Sequence, residues 1–455
     1  MNRNQETLEK APYTKLLVTL CVPTIIIMLV MVIYNMADIY FIGRTKNEDM
    51  IAAVSLCSPL FSILSGLGTL FGSGGCTSIS LALGRGDTDR VKKISALCFY
   101  GSVVLGTLFL VVVLTLLSPA SKMLGADEAT LGFTKDYLRV IAIGAPVILF
   151  SNVFMNIIRA DGAAKESMIA NLLGTVTNIV LDPVFILAFH MGVTGAAVAT
   201  VLGNAVSAAY IVWYCLKKAS CYSFGFRDVT LRRDIALPVV TLGLPMAFST
   251  ILMSCSHMVS NNLMMNFGST AMSAQSVAGK INMLISMTAM GLCMGMQPAI
   301  SFNYARGDRK RTGEIIKKTA VTSMIVGGVL TAFCFIFRDK LIVAFIDSEN
   351  VLSLGRFMLT ASLIMGPFYG LYQLCTTYLQ STGKAGYATF ASLLNKGLIF
   401  LPVLFALHAA FGLYGIACTG PVTDALSLVA AFLLCRAADR RKSGDLSEYE
   451  TQTAA

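Results

Sequence analysis

Apolar runs long enough to cross a bilayer recur along the whole chain, and no other feature restricts its fold as severely. A helix spanning the hydrocarbon core needs about 20 such residues. Between charged or Gly/Pro breaks, the runs lie at approximately 14–43, 51–83, 94–117, 136–158, 167–189, 194–216, 236–266, 271–303, 316–337, 357–379, 387–409 and 412–436. Two in each half exceed 25 residues, so they must be tilted, bent or protruding. Only 13% of residues are charged and 55% are hydrophobic, against about 25% charged in a soluble chain. A soluble globular enzyme, a disordered chain and a disulfide scaffold are excluded. The expected fold is an all-α membrane protein with twelve transmembrane helices.

The basic residues orient it. Alternate loops on one side, with both termini, hold 25 of the 35 Lys and Arg, the opposite loops hold 9, and Lys396 is left inside a span. By the positive-inside rule both termini are cytoplasmic. The net charge of +10 is therefore scattered between apolar segments and does not call for nucleic acid. The polar leader MNRNQETLEKAPYTK lacks the features of a signal peptide, so the first run is expected to stay as a helix. Cysteines such as Cys21, Cys57, Cys98, Cys255, Cys293 and Cys375 sit singly in apolar stretches with no CxxC, and read as helix packing residues.

The halves repeat at an offset of 221. Gly84-Arg85-Gly86-Asp87 answers Ala305-Arg306-Gly307-Asp308, and Ala53 answers Ala274. Gly74 pairs with Gly295, Pro146 with Pro367, Gly162 with Gly383, and Gly192-Val193-Thr194-Gly195 with Gly412-Leu413-Tyr414-Gly415 after one deletion. Asp87 and Asp308 are expected to cap the helices that follow. The organisation expected is a first lobe over 1–216, a cytoplasmic linker over 217–235, a second lobe over 236–436 and a cytoplasmic tail over 437–455. Six spans per unit make the repeats parallel, with a central cavity between two lobes that can rock. That architecture belongs to secondary transporters. No phosphate-binding loop is present, so an ion gradient is the expected energy source and no cofactor is implied. HExxH and GxSxG are also missing, so an enzyme is not expected.

Ionisable groups inside spans are costly and are candidates for function. Asp38 and Asp182 both fall in the outer half of their spans. Asn178 stands one turn below Asp182 on the same face, and Thr200 reaches a similar depth in the sixth span. Two carboxylates, an amide and a hydroxyl suit a proton or a sodium ion, the latter through oxygens that replace its hydration shell. Tyr34 and Asn35, near Asp38, could line the same cavity. Met283, Met287, Met290 and Met294 share one helical face, which fits either a substrate surface or helix packing. In the second half, Ser260 and Val403 stand where the acids would be. Lys396 and Asp424 are its span-internal charges, expected to form a pair. Lys280 reads as a snorkelling residue or a functional one, and His257 as a packing histidine ahead of a proton relay.

Tyr34-Asn35-Met36-Ala37-Asp38, Arg159-Ala160-Asp161-Gly162, Asn178 to Asp182-Pro183, Gly192 to Ala197 and Gln380-Ser381-Thr382-Gly383 together resemble the multidrug and toxic-compound extrusion (MATE) transporters. The likeness runs in order over nearly the whole chain and is nearest the bacterial drug-exporting branch. It implies a V-shaped pair of six-helix lobes in a bacterial inner membrane, exporting cationic, amphipathic drugs against H⁺ or Na⁺. The family's first-lobe cation site maps onto Asp38, Asn178, Asp182 and Thr200, with Tyr34, Asn35, Met287, Met290 and Met294 on the substrate side. An exporter of a lipid-linked compound or another endogenous metabolite is the alternative on the same fold. The partners implied are small cationic drugs and membrane lipids.

Overall fold

Every apolar run forms helix. The structure, a computed structural model, describes residues 3–43, 47–217, 221–345 and 348–440, without the side chains of residues 3, 4, 35–40, 42, 43, 48 and 350. The first lobe holds α1 (Arg3–Lys10), α2 (Tyr13–Leu16), α3 (Val22–Gly43), α4 (Glu48–Arg85), α5 (Thr88–Thr115), α6 (Leu117–Met123), α7 (Leu131–Ile157), α8 (Ala164–Pro183) and α9 (Gly192–Lys217). The second holds α10 (Arg233–Met265), α11 (Ser269–Ala305), α12 (Arg309–Ile336), α13 (Arg338–Phe345), α14 (Glu349–Leu363), α15 (Gly366–Ser381), α16 (Ala385–Leu393) and α17 (Phe400–Arg440). The described residues contain no strand.

Ten continuous helical stretches among the described residues are long and apolar enough to span a bilayer, and α14 with α15, bent by 44°, make an eleventh. One stretch, Ala385–Arg440, has 56 residues. Straight, it would run about 84 Å, more than twice the hydrocarbon thickness. Gly412 breaks it with φ 56° and ψ −126°, a backbone state that side chains rarely tolerate. It therefore holds two spans, and the total is twelve. Its repeat partner Gly192 makes the matching turn at φ 55°.

The duplication is equally plain at the other end. Gly86 and Gly307 have φ of 77° and 83°, and Gly162 and Gly383 of 90° and 80°. Asp87 accepts the Arg90 backbone N–H at 2.9 Å, and Asp308 accepts that of Arg311 at the same distance, so both aspartates cap their helices as expected.

Twelve spans bring the chain back to the side it started from, here called the terminal end. The closest approaches between the lobes lie in this half of the molecule. A Cβ on Gly74 of α4 would stand 1.9 Å from the Val239 carbonyl oxygen of α10, and one on Gly243 would meet the Leu70 oxygen at 1.9 Å. At the repeat-related crossing, a Cβ on Gly295 of α11 would lie 2.7 Å from Cys21 Cα, and one on Gly291 would lie 2.8 Å from Ile25 Cα. Glycine thus lets four backbones touch. Between the crossings, Gln297 Nε2 donates to Thr77 Oγ1 (2.8 Å) and Gln380 Oε1 (3.1 Å), while Gln380 Nε2 donates to Ser73 Oγ at 2.8 Å and to the Leu242 carbonyl. Further out, the lobes meet at Ser254 and Ser62, whose Oγ atoms are 3.4 Å apart. The lobes are sealed at the terminal end.

A strap reinforces the seal. α1 leads into the first lobe but docks on the second: Leu8 is fully buried, Glu9 pairs with Arg306, and Asn303 donates to the Leu8 carbonyl at 3.0 Å. Arg311 holds the Ala11 carbonyl at 2.8 Å, and the Tyr13 hydroxyl bonds Thr322 at 2.9 Å. On the other side, Tyr222 to Phe224 of the linker cover the α7–α8 turn, where Asp161 is fully buried and Arg159 nearly so.

All twelve cysteines are free thiols, and seven are buried in helix packing, while Cys255 is exposed on α10. That residue departs from the packing role expected of it, because it lies on the face of α10 that also leaves Leu237 and Phe248 exposed.

Candidate ion and substrate sites

Two glycines bring the first-lobe polar residues together. A Cβ on Gly203 of α9 would sit 2.6 Å from the Gly174 oxygen of α8, and one on Gly174 would sit 2.0 Å from Ser207 Oγ. With the helices this close, residues one and two turns along α8 from Gly174 face the turn of α9 before Gly203. Those residues are Asn178, Asp182 and Thr200. All three are buried, Asp182 completely.

The Asn178 amide joins them. Its nitrogen donates to Asp182 Oδ1 at 3.4 Å. In the orientation that satisfies both neighbours, the nitrogen reaches Asp182 Oδ2 at 3.3 Å and the oxygen accepts the Thr200 backbone N–H at 3.1 Å. Tyr34 of α3 adds a hydroxyl 3.3 Å from Thr200 Oγ1. Three helices thus share one chain of polar contacts, which runs from Tyr34 through Thr200 and Asn178 to Asp182. Pro183 ends α8 immediately after Asp182, and a π-helical turn over Val184–Ala188 follows, which sets the carboxylate at a helix irregularity. Asn35 and Asp38 lie on α3, and their side chains are outside the described residues.

A fully buried carboxylate is stable only when neutralised or generously hydrogen-bonded. A carboxylate, an amide and two hydroxyls are groups that can hold a proton or a small dehydrated cation. Asn204 was not singled out from the sequence. Its amide donates to the Thr200 carbonyl at 2.9 Å, and its position one turn beyond Thr200 was the available signal.

The methionine stripe divides by depth. Met287 lies one turn outward of Gly291, on the face of α11 that meets α3, and both it and Met290 are half-buried. Met294 is 7% exposed beside the Gly295 crossing, so it packs the seal.

In the second lobe Ser260 is buried. Lys396 and Asp424 do not form the expected pair: no carboxylate lies within 4.0 Å of Lys396 among the described residues, and Asp424 Oδ1 instead accepts from Asn395 at 3.2 Å. Lys396 directly follows Asn395, so the two side chains leave the helix in different directions, and Asn395 is the one that meets Asp424. Lys280 is exposed in the first third of α11, 5.8 Å from the Phe345 ring centre. His257 is exposed, which overturns its reading as a packing residue.

Two six-helix lobes, sealed at one end and carrying a buried polar cluster around Asp182 in the first, define a duplicated multi-pass membrane transporter. The MatE family model matches residues 23–184 and again 245–405, one match per lobe, and the chain belongs to that family. Among its relatives, "Multidrug export protein MepA" of Staphylococcus saprophyticus is 32% identical over 426 residues, covering 94% of each chain. The protein of that name in Staphylococcus aureus is 31% identical over 440 residues, covering 97% of each. A crystal structure of MATE in complex with MaL6 superposes with a TM-score of 0.91 at 22% identity, over 96% of this chain and 98% of that one. An outward-facing MATE family multidrug resistance transporter superposes at 0.90, with the same identity and coverage. At that identity the likeness establishes the fold alone.

Proposed function

We propose that this protein is a secondary active multidrug antiporter that exports cationic, amphipathic compounds in exchange for H⁺ or Na⁺. The observation that carries the reading is the complete burial of Asp182 among Asn178, Thr200 and Tyr34 on three helices. The names of the staphylococcal relatives support export of drugs as the activity. In this reading the protein lies in the bacterial inner membrane with its terminal end in the cytoplasm, among lipids as its solvent, and needs no cofactor.

A drug cation, taken from the cytoplasm or inner leaflet, rests against Tyr34, Asn35, Met287, Met290 and the acidic first lobe. From outside, the coupling ion loads Asp182 and Asp38 with Asn178 and Thr200, neutralises them and weakens their hold on the drug. An inward-moving cation gains about 2.3 kcal/mol per 100 mV of membrane potential. The reading contains no chemical step.

The test is efflux from proteoliposomes with a proton or sodium gradient imposed separately. Asp182→Asn is expected to abolish gradient-driven export of ethidium while the protein stays folded and monodisperse. Retained gradient-driven export in both Asp182→Asn and Asp38→Asn would reject the ion assignment.

A further inference from the structure

The second lobe carries a charge that the exchange mechanism does not use. Lys396 is half-buried, about 17 Å along its span from the start of α16 at Ala385, well beyond the reach of lipid headgroups. Its Nζ lies 6.0 Å from the centre of the Tyr369 ring on α15, a contact that stabilises an ammonium but does not neutralise it. Asp424 on α17 and His257 on α10 are within its electrostatic range. Neither pairs with it at 4.0 Å or less, and Asp424 is engaged by Asn395. Asn395 Oδ1, almost wholly buried, has no hydrogen-bond partner.

Helix geometry places this group beside the cleft. On α10, Ser254 faces Ser62 of the first lobe, and Ser256 faces the second-lobe interior by donating to the Lys396 carbonyl. At 100° per residue, His257 falls between those two faces, and it is exposed. The imidazole therefore stands where the space between the lobes meets the lysine. A single ammonium with one carboxylate already in its field suits a monoanion and disfavours a dianion such as phosphate.

We propose that Lys396, with His257 at its mouth, binds the carboxylate of zwitterionic amphipathic substrates whose ammonium end is held by the acidic first lobe. This rests on the exporter reading above and adds to it the residues that receive the anionic end of such a substrate. A carboxylate supplies the partner that the lysine lacks, and the opposite polarity of the two walls orients such a molecule across the cleft.

The experiment uses the full-length protein in proteoliposomes and two dyes, a rhodamine with a free benzoate and the ethyl ester of the same dye. Lys396→Met is expected to raise the KM for the benzoate dye at least about tenfold, the size of one charge-assisted hydrogen bond, and to leave the ester within about twofold. Lys396→Arg keeps the benzoate dye. The double variant Lys396→Met/Asp424→Asn, which leaves no unpaired carboxylate behind, shows the same selective loss. Equal export of both dyes by Lys396→Met, a parallel loss of both, or a wild type that moves the ester and not the benzoate dye would each overturn the proposal. A wild type that moves neither dye would overturn the exporter reading as well, and the ester arm tells the two failures apart.

Discussion

Replacing Gly74 by alanine puts one methyl group where the lobes touch most closely, and the structure fixes what that methyl meets. Its Cβ would stand 1.9 Å from the Val239 oxygen, 2.9 Å from the Gly243 nitrogen and 3.0 Å from the Val239 carbonyl carbon. All three are backbone atoms of the opposite lobe, so no rotamer change relieves the clash. An ordinary carbon–oxygen contact begins at about 3.3 Å, so α4 and α10 must part by about 1.4 Å. Overpacking of this kind costs about 1–3 kcal/mol. The cost falls only on the state in which the terminal end is sealed, so it shifts the equilibrium toward the opposite opening by about 5- to 150-fold. Cys21 reports the shift. It is fully buried at the other crossing, and its thiol reaches across the lobe interface to the Leu292 carbonyl at 3.3 Å. In a variant keeping Cys21 as the sole cysteine, Gly74→Ala should speed maleimide labelling by about the same factor. Gly313→Ala, whose added Cβ has nothing within 4 Å, should leave it unchanged. Unaltered Cys21 labelling in a folded Gly74→Ala protein would refute the view that this crossing is the seal.

Two further outcomes follow from the geometry. Burial pushes the Asp161 carboxyl from 3.8 up to about 7, so the folded protein holds a proton there that the unfolded chain has released above pH of about 4. Stability should therefore fall as pH rises from about 4 to about 7, by up to about 1.4 kcal/mol per unit, and level off above that. Thermal unfolding in detergent across this range should show the slope in the wild type and its loss in Asp161→Asn. Tyr34→Phe removes the hydroxyl beside Thr200, and should weaken coupling-ion binding by about 2- to 10-fold, the worth of one neutral hydrogen bond. Ion titration of purified protein followed by intrinsic fluorescence measures this.

The spans and the duplication were legible because both are written locally, in run length and in recurring turn residues. Gly192 and Gly412 share a turn and a positive φ, and Asp87 and Asp308 cap their helices, all from short-range chemistry. Depth along each helix was enough to group Asn178, Asp182 and Thr200, since position along a membrane helix is close to position in space. Depth says nothing about rotation, and there the sequence reading failed. Asn395, and not its neighbour Lys396, meets Asp424, and run length and depth do not distinguish two adjacent polar residues. The Gln297 and Gln380 contacts with Thr77 and Ser73 span 220 and 307 residues of chain, and they exist only because glycines on other helices let the lobes close. Depth also gave no sign that the Tyr34 hydroxyl meets Thr200 on another helix.

The docking of α1 has a mechanical result. That segment is tied covalently to one half of the molecule and by Glu9–Arg306 and the carbonyls of Leu8 and Ala11 to the other. If the halves part at the terminal end it must either stretch or let go, so it is a tether whose grip sets how readily that end yields.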